Sequence, residues 1–565
     1  MTLTIAEPAM ENVWLKNYPP GIPVEVDVKE YSSLPDLFER SVQRFSDAPA
    51  YANMGQQLSY ADLDLLSHRF AAFLQQALEL QKGERIAIML PNLLQYPVVM
   101  FGAFMAGLTV VNTNPLYTPR ELKHQLRDSG ASTIVVVKNY AHVVAEVVNE
   151  TDVKHVIVTG VGDLLGFPKS TLVNFVVKYI KRMVPAYSLP NAIPFTKALV
   201  KGQGLTLDKP RVDYDDIAFL QYTGGTTGMA KGAMLTHGNM VANVQQASAW
   251  FQSLLIEGKE TVITALPLYH IFSLLANCLV FLKLGGLNHL ITNPRDMKGF
   301  VRELSRVRFT CITGVNTLFN GLLNSPGFSE LDFSGLKMVL GGGMAVQAVV
   351  AKRWMAATGV PLIEAYGLTE TSPAACINPL DTVEYNGSIG LPLSSTDCSI
   401  QDDDGHHLPF GEVGELCIRG PQVMKGYWNC PEETKMVLSE QGWFRTGDMA
   451  TMDSEGYVRI VDRKKDMIIV SGFNVYPNEI ESVIAEYPGV MEVGVFGVAD
   501  DKTGEAVKAV IVKKDSDLAE NNLRQYCKKN LTAYKRPKYI EFSLELPKSN
   551  VGKILRRQLR EQFPV

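Results

Sequence analysis

The feature that most constrains the fold is a repeated alternation of short β-rich runs with longer helical ones. Arg85 to Leu90 precedes Tyr96 to Ala106, Thr133 to Val137 precedes Ala141 to Asn149, and Phe309 to Gly314 precedes Thr317 to Asn324. Such alternation builds parallel βαβ units whose helices cover both faces of a sheet. The large N-terminal part is therefore expected to be α/β. At 565 residues the chain also exceeds what one hydrophobic core usually serves, so more than one domain is expected.

Near Gly390 the texture changes to short runs rich in Gly, Pro and Asp, as in IQDDDGHHLPFGEVGELCIRG, which predict a β subdomain with tight turns. A strand then ends at Val461, the charged cluster Asp462 to Asp466 intervenes, and a new strand starts at Met467. That break places a large domain over 1–461, a hinge at 462–466 and a small domain over 467–565, although a solvated hairpin turn would give the same pattern. The small domain reads as α+β: a helix at Pro477 to Glu486, strands at Val490 to Gly497 and Ala506 to Lys513, and a helix at Leu518 to Asn530. Its last segment, LPKSNVGKILRRQLR, suits a turn at Gly552 that carries Lys553 to an anion, or a solvated surface helix.

Composition narrows the classes of function. A net charge of -5 offers no general attraction to nucleic acid. The seven cysteines show no CxxC pair and no histidine at metal spacing, so neither a zinc site nor a disulfide framework is expected. The N-terminus MTLTIAEPAMENVW is acidic and lacks an apolar signal core, which predicts a cytoplasmic protein. Two uncharged runs, Ile86 to Val111 and Thr261 to Leu282 apart from His270, are broken by Pro91, Asn92, Gln95 and Pro97 and by Pro267, Tyr269 and His270. They read as buried strand and helix rather than membrane spans. In STLVNFVVKYIKRMVP, Leu172, Val176, Tyr179, Ile180 and Met183 recur at helical spacing opposite Lys178, Lys181 and Arg182. A helix of that kind packs on its own core or lies in a membrane interface, the first being the commoner outcome.

The stretch Tyr222 to His237, YTGGTTGMAKGAMLTH, follows the apolar run Ile217 to Gln221. Gly224, Gly225 and Gly228 let backbone N–H groups approach an anion, Thr223, Thr226 and Thr227 add hydroxyls, and Lys231 adds charge. It is not a Walker loop, which needs glycine before its lysine and Ser or Thr after it; Ala230 and Gly232 flank Lys231. In EAYGLTETSP, Tyr366 offers a flat face for a purine, Thr369 a hydroxyl and Glu370 a hard oxygen for Mg2+. GGGM, Gly341 to Met344, allows close approach of a planar base, and Asp448 in WFRTGDMA suits ribose hydroxyls.

Taken in order, YTGGTTGMAKG, LPLYHIF, GGGM, YGLTET, TGD, DRKKD and VGKILRR resemble the acyl-adenylate-forming enzymes: acyl-CoA synthetases, firefly luciferase and the adenylation domains of peptide synthetases. The resemblance spans essentially the whole chain. It is especially close to the bacterial long-chain fatty acid CoA ligases, through PNLLQYPVVMFGAFMAGLTVVNTNPLYTPRE, GVNTLFN and SGFNVYPNEIE.

The resemblance implies that Tyr222, Thr223, Gly224, Gly225, Thr226, Thr227, Gly228, Lys231 and Gly232 grip the phosphates of ATP, and that Gly342, Gly343 and Tyr366 line the adenine site. Thr369 is matched to the α-phosphate, Glu370 with the Thr223 hydroxyl to Mg2+, Asp448 and Arg463 to the ribose, and Lys465 to the hinge. Lys553 is matched to the catalytic lysine and His270 to a residue near the acyl carboxylate, while Gly472 and Phe473 are expected to meet coenzyme A after the small domain rotates. Lys553, Lys231, Glu370 and His270 are thus the expected catalytic groups. Two departures stand out, Ala365 where relatives commonly carry glycine and Ile469 where they often carry lysine.

The implied reaction activates a long-chain fatty acid with ATP, releases pyrophosphate, and passes the acyl group to CoA with release of AMP, feeding β-oxidation. The expected setting is the cytoplasm with peripheral contact at the inner membrane, and the chain is compatible with a homodimer. Phe272, Leu274, Val315, Thr317, Leu318 and Phe319 are candidates for the acyl tunnel. Rival outcomes are transfer to a carrier protein instead of CoA, and a non-catalytic fatty acid uptake protein.

Overall fold

The computed structural model of the chain describes residues 12–223, 230–549 and 552–564. The alternation of runs folds into two large sheets with parallel centres. The first runs in the order Ile193–Pro194, His155–Thr159, Thr133–Val137, Arg85–Met89, Thr109–Asn112, Ile217–Thr223, Lys231–Thr236, and only its last pair is antiparallel. Every residue of Thr133–Val137 is buried, as expected of a strand covered by helices on both faces. The uncharged run Ile86 to Val111 resolves into a strand, the wholly buried helix Gln95–Met105 and the next strand. Among the described residues no helix is long and apolar enough to cross a membrane.

The second sheet has the order Leu391–Pro392, Ala374–Ile377, Leu362–Gly367, Met338–Gly341, Cys311–Gly314, Thr261–Thr264, Leu287–Leu290, Pro49–Asn53, Gln56–Ser59. A third, antiparallel sheet joins Asp397–Gln401, Gly414–Arg419, Phe444–Met452 and Val458–Arg463. The helix His237–Phe251 ties these layers together. Thr236 and Asn239 form a reciprocal cap at its start, which fixes the direction in which the chain leaves the first sheet. Along it, Asn239 donates to the Pro421 and Val423 oxygens, Asn243 to Ala374 and Gln246 to Ser394.

The C-terminal unit carries a sheet ordered Phe473–Val475, Ile468–Val470, Gly504–Lys513, Val490–Asp500, with Tyr539–Ser543 parallel to Gly504–Lys513. Helices Pro477–Ala485 and Glu520–Asn530 lie close to the expected positions. The strand Tyr539–Ser543 was not foreseen, and the last segment ends in the helix Arg556–Gln562, one of its two expected forms. That helix is exposed along Arg557, Gln558, Arg560 and Glu561, while Leu559 is buried with Phe496, Val510 and Leu546, and Arg556 lies among acids. The unit meets the rest of the chain where the Asn320 amide donates to the Met491 oxygen at 3.3 Å and the Thr317 hydroxyl to the Gly552 oxygen at 3.2 Å.

The basic amphipathic segment does not bury its apolar stripe as a helix packed on the core would. It forms the helix Lys169–Phe175 and a wider turn Val176–Ile180. Polar groups tether it: Asn174 accepts from the Gly162 N–H and donates to Asp163, and Lys169 bonds to the Met54 oxygen. Val173 packs against the core, but most of the segment's large apolar side chains face outward, with Phe167 89% and Ile180 63% exposed, and Leu172, Phe175, Tyr179 and Met183 also exposed. A helix packed on its own core shows the opposite arrangement.

Candidate active site

A cavity of about 1570 Å3 lies between the sheet ends and the C-terminal unit. Tyr222, Thr223, Lys231, His270, Gly342, Gly343, Tyr366, Thr369, Glu370, Asp448, Arg463, Lys465 and Lys553 all line it. Residues more than three hundred positions apart thus converge on one space. Gly224, Gly225, Thr226, Thr227 and Gly228 lie outside the described residues.

Both flanks of that glycine-rich stretch are firmly held. Thr223 and Lys231 face each other at the end of the antiparallel pair. The Tyr222 hydroxyl donates to Asp128 at 2.5 Å, and burial together with the Asp128 charge pushes this phenol far above its usual range. His124 Nε2 donates to the Ala230 oxygen at 2.9 Å, and the Trp428 indole donates to the Asp128 main chain at 3.0 Å. Gly232 does not line the cavity. It sits under the Tyr222 ring, where a Cβ would come within 3.2 Å, so its small size serves the hairpin. Lys231 Nζ lies 5.1 Å from the centre of the Tyr427 ring, whose hydroxyl donates to Glu370 at 2.7 Å. Lysine, tyrosine and carboxylate therefore form one chain of contacts beside the Thr223–Lys231 strand pair.

On the opposite wall, Asp448 accepts from the Tyr366 hydroxyl at 2.6 Å and pairs with Arg463 at 3.0 Å. Strand pairing sets this geometry, since Asp448 and Arg463 are direct neighbours across the third sheet. At Gly342 an added Cβ would stand 3.1 Å from the Ala365 oxygen and 3.2 Å from the Phe272 ring, leaving no room for a side chain. Ala365 itself lines the cavity.

Lys553 enters from the C-terminal unit. Its N–H donates to the Ser549 hydroxyl at 3.1 Å, closing a tight loop at Gly552, whose φ of +83 suits glycine. Burial, aided by the cations Arg463, Arg556 and Lys465 and opposed by Asp448, brings the Lys553 amine down to about 8. His270 is lowered to about 4 by burial and by Lys553, so its ring is neutral near pH 7. Its Nδ1 accepts the Phe272 N–H at 3.4 Å, which leaves the proton on Nε2 and makes that nitrogen a donor.

The apolar part of the cavity differs from the expected tunnel. Phe272, Val315 and Thr317 line it, whereas Leu274, Leu318 and Phe319 pack into the core, the Phe319 ring edge-on to Trp354 at 4.8 Å. The wall is built instead with Ala247 and Phe251 from the helix His237–Phe251, Leu275 and Ala276, and Cys376 and Ile377 of the second sheet. No motif marks these positions. Gly472 and Phe473 do not line the cavity, and Phe473 stacks on Tyr534 at 4.7 Å on the outer side of the small unit. Ile469 is exposed.

The family model for AMP-binding enzymes matches residues 38–428, and that for the AMP-binding enzyme C-terminal domain matches residues 479–553. The chain belongs to the AMP-binding enzyme family. Among curated members of this AMP-binding family it is 58% identical over 553 residues to a long-chain-fatty-acid–CoA ligase of Escherichia coli O6:H1, covering 98% of each chain. A long-chain-fatty-acid–CoA ligase of Haemophilus influenzae is 54% identical over 555 residues, covering 98% of this chain and 99% of its own. The crystal structure of ATP-bound MatB from Rhodopseudomonas palustris has the same fold, with a TM-score of 0.80 at 30% identity, over 94% of this chain and 99% of that one.

Proposed function

We propose that this AMP-binding enzyme ligates long-chain fatty acids to CoA through an acyl-adenylate. The observation that carries the proposal is the entry of Lys553 into one cavity that also holds Lys231, Glu370, Asp448 and an apolar wall. The E. coli and H. influenzae relatives, named long-chain-fatty-acid–CoA ligases, support the substrate class.

In the first half-reaction a fatty carboxylate oxygen attacks the α-phosphorus of ATP, the bond to the β-phosphate oxygen breaks, and pyrophosphate leaves. Two anions must meet for this to happen. Lys553 and Lys231 offset their repulsion and stabilise charge on the phosphorus oxygens, and neutral His270 donates from Nε2 to the carboxylate. Tyr366 and Asp448 orient the nucleoside. The Glu370 carboxylate and Thr223 hydroxyl are hard oxygen donors on the same cavity wall, a set that fits Mg2+ shared with phosphate. Bound there, Mg2+ supplies Lewis-acid polarisation of phosphate oxygens.

In the second half-reaction the CoA sulfur attacks the acyl carbon, the bond to AMP breaks, and the thiol proton passes to solvent. Rotation about 462–466 withdraws Lys553 and brings Gly472 and Phe473 to meet the CoA arm, a hinge motion of the usual kind. The exposed apolar side chains from Phe167 to Met183, flanked by Lys178, Lys181 and Arg182, lay the enzyme peripherally on the anionic cytoplasmic face of the membrane.

The test is exchange of labelled pyrophosphate into ATP without CoA. Exchange that requires palmitate or oleate, followed by acyl-CoA on adding CoA, supports the proposal; no exchange with any fatty acid contradicts it.

A further inference from the structure

Asp462 lies one residue before the end of the last strand of the third sheet and is wholly buried, yet it is an acid. Its carboxylate accepts from its neighbour Arg463 N–H at 2.7 Å, from the Asn478 N–H at 2.8 Å and from Arg556 Nη1 at 3.2 Å. Asn478 and Arg556 belong to the C-terminal unit. Arg556 also grips Glu481 through Nη2 at 3.0 Å, the Asn478 side chain at 2.5 Å and Asp466 at 3.4 Å. The segment that looks from sequence like a solvated turn is therefore zipped shut from behind.

Position makes this cluster more than a structural ion pair. Arg556 lies three residues after Lys553, and Asp462 directly precedes Arg463, the partner of Asp448. One buried contact thus fixes the lysine loop and the ribose-side pair against each other. Opening the two units leaves Asp462 without two of its three donors, which for a buried carboxylate is strongly unfavourable until water reaches it.

We propose that Asp462 and Arg556 form a latch that holds the C-terminal unit with Lys553 in the cavity, so that Arg556 is a positioning residue for adenylate formation alone. The proposal rests on the two-step reading above. Arg556 lines the same cavity together with Asp462 and Glu481, its guanidinium engaged by these acids, and in this proposal it acts through the placement of Lys553.

The full-length enzyme is assayed for palmitate-dependent pyrophosphate exchange and, separately, for transfer from supplied palmitoyl-adenylate to CoA. Arg556→Gln lowers exchange roughly ten- to a hundredfold, the range for a lost charged hydrogen bond, and leaves transfer unchanged or faster. Asp462→Asn has the same sign, and Arg556→Lys restores part of the exchange. Equal losses in both steps, or no loss in either, overturn the latch. If wild-type protein shows no exchange, the functional reading fails, and the latch is read instead by amide hydrogen exchange. Arg556→Gln then speeds exchange at Gly552 and Lys553 while Val507 to Ile511 stay protected; unchanged rates at Gly552 and Lys553, or equal loss throughout the unit, overturn it. Should Arg556→Gln not fold, Asp462→Asn and Arg556→Lys carry both readouts with the same criteria.

Discussion

The Thr317 hydroxyl donates to the Gly552 main-chain oxygen at 3.2 Å, so a helix of the large unit holds the loop that carries Lys553. Removing the hydroxyl with Thr317→Val forfeits one neutral hydrogen bond, about 1 kcal/mol, and slows pyrophosphate exchange about fivefold. Gly552→Ala costs more, because its Cβ would stand 2.4 Å from the Thr317 oxygen at a φ of +83. Exchange assays on both variants check the order.

The charge on Lys553 sets a pH limit. Its amine is held down to about 8 by burial and neighbouring cations, so the protonated form dominates below that pH and is lost above it. With limiting fatty acid, kcat/KM for adenylate formation falls as pH rises through about 8, because this ratio reports the free enzyme. Lys553→Arg keeps its charge and abolishes that fall, though at a lower rate.

The apolar wall sets the response to chain length. Each CH2 that enters it contributes about 0.8 kcal/mol, roughly fourfold in kcat/KM, until the space is filled. Ala247→Phe makes that rise stop at a shorter acid, and Phe251→Ala extends it. A rate series over saturated acids of increasing length measures both.

Membrane contact depends on two separable terms. Reversing Lys178, Lys181 and Arg182 to Glu weakens binding to vesicles containing anionic lipid, by about 1 kcal/mol for each cation removed. Replacing Phe167 and Ile180 with Ser weakens binding to neutral vesicles as well. Vesicle co-sedimentation at two lipid compositions separates these effects.

Local pattern carried much of the fold. Thr133–Val137 and its following helix are where the alternation puts them, because apolar runs of strand length next to amphipathic runs admit few arrangements. Motif residues such as Glu370 and Asp448 were singled out one by one from their local patterns, and the fold brings them to one cavity. What stayed hidden depends on contacts distant in sequence. Ala247, Phe251 and Cys376 are ordinary core residues until the helix His237–Phe251 and the second sheet bring them to one wall. The burial of Asp462 was equally invisible, because its partner Arg556 lies ninety-four positions away in an arginine-rich tail that reads as solvated.

Acyl-adenylate formation is the central claim, and oxygen transfer tests it most directly. A fatty acid carrying 18O in both carboxyl oxygens is converted to acyl-CoA, and the nucleotide and phosphate products are weighed by mass spectrometry. Attack on the α-phosphorus leaves one labelled oxygen in AMP and none in pyrophosphate. Unlabelled AMP, or ADP with the label in inorganic phosphate, would contradict the account.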